Sequence, residues 1–90
     1  MTERSKIPEV VDAFAAVMRK HRSRIGISQE ELAHRAGLSM SFVSLLETGK
    51  RQPTISTIVL ICRELDTSLT AFISEVEEHT GAIMSLPRQT

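Results

Sequence analysis

The chain has a single cysteine, Cys62, in 90 residues. An intrachain disulfide is therefore excluded, and nothing points to an oxidising compartment. No apolar run reaches the roughly 20 residues that a membrane helix needs, and the opening MTERSKIPE lacks the hydrophobic core of a signal peptide. A cytoplasmic protein without membrane contact is expected. The three histidines, His21, His34 and His79, are scattered, with no cysteine or carboxylate neighbours at metal-ligand spacing. No metal and no cofactor is expected. Ser39, Ser41 and Ser44 have no histidine close by in sequence, so serine chemistry has no support, and no enzyme motif stands behind the chain. Net charge is lacking too: 11 Lys and Arg balance 11 Asp and Glu. The balance hides an asymmetry, because residues 1–53 carry nine basic against six acidic side chains and residues 54–90 two against five. The basic half draws most of its charge from Arg19, Lys20, Arg22 and Arg24, with His21, and from Lys50 and Arg51.

What the sequence does contain is concentrated between Gly26 and Lys50, GISQEELAHRAGLSMSFVSLLETGK. Ser28 and Glu31 have the spacing of a capping box, in which each side chain accepts from the other's backbone amide. Leu32, Ala33 and Ala36 follow at helical spacing, and Gly37 stands where a left-handed residue ends a helix. Ser39 caps a second short helix whose apolar face is Phe42, Val43 and Leu46, and Thr48-Gly49 stops it. Two short amphipathic helices around a glycine turn make a helix-turn-helix. Around them the pattern predicts three more helices. The first runs from about Pro8, suited to a first helical turn, to about Arg24, with Gly26 ending it and Val10, Phe14, Val17 and Met18 as apolar positions. A fourth, capped by Thr54, holds Ile55, Ile58, Val59, Ile61, Cys62 and Leu65, and as the most apolar segment it is expected at the centre of the core. A fifth, capped by Ser68, carries a stripe of Leu69, Phe72, Ile73 and Val76.

Four segments in order, SQEELA from Ser28, AGLS from Ala36, VSLLETGK from Val43 and RQPT from Arg51, resemble the Cro/repressor-type (Xre-type) helix-turn-helix family of transcriptional regulators. The resemblance implies an all-α, five-helix lambda-repressor-like DNA-binding domain over residues 8–80, with an N-terminal arm at 1–7 and a C-terminal tail at 81–90. The partner it implies is a double-stranded DNA operator, bound by a homodimer on a palindromic site. Restriction-modification controllers and phage-type repressors are regulators of this size. The competing reading is an antitoxin or interaction module whose main partner is another protein, favoured if helix five and the tail leave an apolar surface that stays exposed in the dimer.

In a helix-turn-helix the second helix enters the major groove with its N-terminal residues at the base edges. With Phe42, Val43 and Leu46 needed for the core, Met40, Ser41, Ser44 and Leu45 are the expected base-contacting residues. None makes the bidentate contacts with guanine or adenine that carry much of direct readout, which leaves thymine methyl contacts, single hydrogen bonds and DNA deformability. Phosphate contacts are expected from Gln29 at the start of helix two, where the helix dipole favours an anion, and from Ser39, Thr48, Lys50, Arg51 and Arg24. The resemblance also implies an ion pair between Arg22 and Glu47 that holds helix one against the recognition helix. It assigns Leu69 and Phe72 to the core, which leaves Ile73 and Val76 as the expected dimer interface, extended by Ile83, Met84 and Leu86.

Overall fold

The computed structural model describes residues 7–81; Ile83, Met84 and Leu86 lie outside them. Among the described residues there are five helices and no strand: α1 (Pro8–Ile25), α2 (Gln29–Ala36), α3 (Met40–Glu47), α4 (Ile55–Glu64) and α5 (Leu69–Thr80). Each begins where local chemistry dictates. Proline opens α1, where no amide hydrogen is needed. The hydroxyls of Ser28, Ser39, Thr54 and Ser68 each accept the amide three residues on, at 3.0–3.1 Å, and so start the other four helices. The reciprocal half of the capping box is diverted, since the Glu31 carboxylate accepts from Arg35 Nε at 2.8 Å. Gly37 ends α2 at φ 72°, a conformation that a side chain would strain. Gly49, after α3, is held by the same constraint, with φ also 72°; a Cβ there would meet Asp12 Oδ1 at 2.7 Å, the end of an exposed side chain that can turn away.

The core is built around α1. This helix buries Val11, Ala13, Phe14, Ala15, Val17, Met18 and His21, and packs on both α3 and α5. The other helices close around it, with α2 against α3 and α4, and α4 against α5. Val17, Met18, Leu32, Val43, Leu46, Ile61, Leu65 and Phe72 meet in the middle without solvent contact. Burial of side chains of this size is worth roughly 1.5–3 kcal/mol each. The rings of Phe14 and Phe72 join α1 to α5 with centroids 5.4 Å apart.

The central position expected for α4 is thereby corrected. Only Ile61 and Cys62 of that helix are buried, with Leu65 just past its end; Ile58 and Val59 are half-buried and Ile55 is 72% exposed. Apolar content did not decide the matter. The apolar residues of α4 are spread over more than one face and only one of those faces meets α2 and α5, whereas α1 has alanines that let neighbours approach closely.

Candidate nucleic-acid interface

Helix α3 divides into a buried and an open face. Val43, Leu46 and Glu47 are buried, while Met40 is 53% exposed and Ser41 stands beside it in the first turn, also open. Ser44 and Leu45, one turn on, are half-buried, and Leu45 is not part of the core cluster. Phe42, expected inside, is half-buried, and the Arg51 guanidinium carbon lies 5.6 Å from its ring centroid, so the ring's π face carries the cation. The four outward residues therefore offer two hydroxyls, a thioether and an isobutyl group, and no charge.

The inner face is held from behind. Glu47, only 1% exposed, accepts from Arg22 Nε at 2.6 Å and Nη2 at 3.0 Å, and from Gln29 Nε2 at 2.9 Å. Arg22 also donates to the Ile27 carbonyl at 2.9 Å, so one guanidinium ties α1, the α1–α2 loop and α3 together. Its hydrogen bond to Glu47 holds that guanidinium above its ordinary pKa, against the opposing effect of burial. Arg19 adds a bond from Nη1 to the backbone carbonyl of Glu47, where the negative end of the α3 dipole lies.

These contacts change the reading of the basic run on α1. Arg19 and Arg22 serve Glu47, Lys20 bonds to Glu75 at 3.0 Å, and Arg24 Nη2 lies 2.7 Å from His21 Nδ1. The basic run is thus engaged in intramolecular pairs, although Arg19, Lys20 and Arg24 remain exposed and only Arg22 is half-buried. Two residues of the expected phosphate set make intramolecular hydrogen bonds. The Gln29 side-chain amide points inward to Glu47, while the backbone amides at the α2 N-terminus, on which the expectation rested, are separate from that bond. Thr48 is exposed, with Oγ1 donating to the Ser44 carbonyl at 2.9 Å and the amide to the same oxygen at 3.1 Å. Ser39 is different: its hydroxyl oxygen accepts the Phe42 amide and its proton remains for another acceptor. Lys50 and Arg51 are exposed just beyond the end of α3.

A second polar cluster was invisible in the sequence. His21 is 2% exposed, its Nε2 meets Glu75 Oε1, and its ring lies 5.5 Å from that of Phe72. The hydrogen bond from His21 holds the Glu75 carboxyl below the usual carboxylate range, against desolvation and with help from Lys20. The partners are 54 residues apart, and no local pattern announces them.

On α5 the two residues expected at the dimer interface differ in burial. Ile73 is 40% exposed, and Leu69, assigned to the core, is exposed as well. Val76 is corrected: at 5% exposure it packs in its own subunit's core. The reason is the row spacing of a helix, in which Phe72, Val76 and Thr80 lie on the buried i, i+4 row and Leu69 and Ile73 on the adjacent one. Ile73 borders an apolar cavity of about 170 Å³ shared with Val10, Phe14, Pro53 and Ile58. Cys62 is buried, and desolvation pushes its thiol pKa up to about 11, which keeps it protonated and unreactive near neutrality. Among the described residues no cluster of His, Cys, Asp and Glu could hold a metal ion, and no helix is long and apolar enough to cross a membrane.

Two short helices around a left-handed glycine, the second open on one side and pinned to α1 on the other, define a helix-turn-helix DNA-binding domain. The chain belongs to the helix-turn-helix family, whose profile matches residues 15–72, and it is a DNA-binding transcriptional regulator. It is 30% identical to the control protein C.SmaI of Serratia marcescens over 61 residues, which cover 68% of this chain and 73% of that one. Among solved structures it is similar to the restriction-modification controller protein C.Esp1396I, crystallised as a tetramer in complex with its natural 35 base-pair operator. The TM-score is 0.73 and the identity 27%, over 79% of this chain and 93% of that one. The clp gene regulator ClgR of Corynebacterium glutamicum shares the fold with a TM-score of 0.77 at 23% identity, over 82% of this chain and 79% of that one.

Proposed function

We propose that this regulator acts in the cytoplasm as a homodimer on a two-fold-symmetric operator, and that its role is that of a restriction-modification controller. The observation that carries the DNA geometry is the arrangement of α3. Its first turn presents Met40 and Ser41 outward, its last residue is locked to α1 and α2, and Lys50 and Arg51 stand exposed beyond it. In this reading Met40, Ser41, Ser44 and Leu45 meet base edges in the major groove. Ser39, Lys50, Arg51, Arg24 and the backbone at Gln29 meet phosphates. Ile73, with Leu69 replacing Val76, forms the dimer contact, which sets two recognition helices about 34 Å apart. The control proteins among its relatives support the biological role.

Selection of binding sites from a random DNA library tests the symmetry, and a palindromic consensus is expected. A consensus without two-fold symmetry overturns the dimer. On the selected site Arg51→Ala should weaken specific and nonspecific binding alike and lower the slope of log affinity against log salt by about 1, because one fewer phosphate is neutralised. An unchanged slope removes Arg51 from the phosphate contacts.

A further inference from the structure

Arg24 and a proton compete for one lone pair. A guanidinium only donates hydrogen bonds, so the 2.7 Å contact from Arg24 Nη2 fixes Nδ1 of His21 as an acceptor and places the ring's proton on Nε2, facing Glu75 Oε1. From α1, Lys20 and Arg24 face this group. From α5, Glu75 faces it, itself bonded to Lys20, while Phe72 brings a ring and no charge. With the imidazole 2% exposed, solvent does not stand in for either partner. A second proton on His21 turns Nδ1 into a donor and the ring into a cation. Two donors and two like charges then oppose each other, so Arg24 must leave, while Glu75 keeps its bond.

Arg24 is exposed in the last turn of α1, just before the loop that leads into the α2 N-terminus. Once released, its guanidinium is available to a phosphate at that helix end. We propose that Arg24 is a phosphate-binding residue held in reserve by His21, so that DNA binding is coupled to proton uptake at His21 and strengthens as pH falls. The proposal rests on the reading that this face binds DNA. Linkage makes it reciprocal: a phosphate that draws Arg24 away frees Nδ1 and favours its protonation.

Fluorescence anisotropy with a labelled mixed-sequence duplex, at fixed ionic strength across roughly pH 5.5 to 8, tests the coupling. Wild type should gain affinity on acidification more steeply than Arg24→Ala, by up to about tenfold per pH unit for one linked proton. Its salt slope should steepen by about 0.9 between the ends of that range while that of Arg24→Ala stays constant. The rest of the chain is common to both proteins and cancels in the comparison. Equal pH dependence in the two proteins overturns the proposal. Independently, NMR titration of the His21 ring without DNA should show it taking up its proton at higher pH in Arg24→Ala than in wild type, and identical titrations overturn the competition itself. If wild type binds the duplex at no pH, the reading of this face as a DNA surface falls, and the NMR result still decides whether Arg24 and the proton compete.

Discussion

Arg22→Ala strands a carboxylate inside the protein. Glu47 then keeps one of its three side-chain donors, Gln29 Nε2, and at 1% exposure it gains little from water. Removing one partner of a buried ion pair costs about 3–5 kcal/mol. Because Arg22 is itself half-buried rather than sealed, water entering the vacated space places the loss near the lower end, about 3 kcal/mol. A domain of this size is held by roughly 5–13 kcal/mol, so the variant forfeits about a fifth or more of its stability. At 4–8 °C per kcal/mol the melting temperature should fall by about 12–24 °C. Thermal and urea unfolding followed by circular dichroism at neutral pH measures this. A double variant, Arg22→Met with Glu47→Met, should recover much of the loss by replacing the pair with apolar packing. If Arg22→Ala melts within about 4 °C of wild type, close to 1 kcal/mol, Glu47 is not a buried anchor and the bracing argument is wrong.

Two further outcomes concern recognition and assembly. Met40→Ala and Ser41→Ala should each change base preference at a few operator positions by roughly 1–3 kcal/mol without altering the melting temperature; selected consensus sites identical to wild type would shift readout to DNA shape. Ile73→Asp should sediment as a folded monomer at micromolar concentration with weakened operator binding, whereas Val76→Asp should unfold the subunit, since Val76 is buried in it. A dimeric, normally binding Ile73→Asp would place the interface elsewhere.

The helix-turn-helix was legible because its determinants are local. Ser28, Ser39 and Gly37 act within a few residues of themselves, and their geometry follows from their types. The Arg22–Glu47 pair came instead through family resemblance, and the structure places the two in contact. What could not be read depends on partners distant in sequence. Arg19 reaches the Glu47 carbonyl across 28 positions, and His21 reaches Glu75 across 54. Both residues look like members of a basic run until the fold supplies the other side. The exchange of Leu69 for Val76 has a different origin: hydrophobicity marks both residues as apolar, but the crossing of α5 on α1 decides which row faces inward. The same holds for α4, whose many apolar residues do not say which helix will be surrounded.

The polar side-chain bonds that tie α3 to α1 and α2 fall on its last residue, Glu47, while the outward side chains of Met40 and Ser41 stand at the other end. Holding the helix and reading the groove are thus entrusted to separate residues. Substitutions at exposed positions away from such anchors generally change stability by no more than about 0.5 kcal/mol. A duplicated gene can therefore wander through the side chains available at those two sites, acquiring a new target sequence while the inherited scaffold stays intact, so that regulators diverge in address before they diverge in architecture.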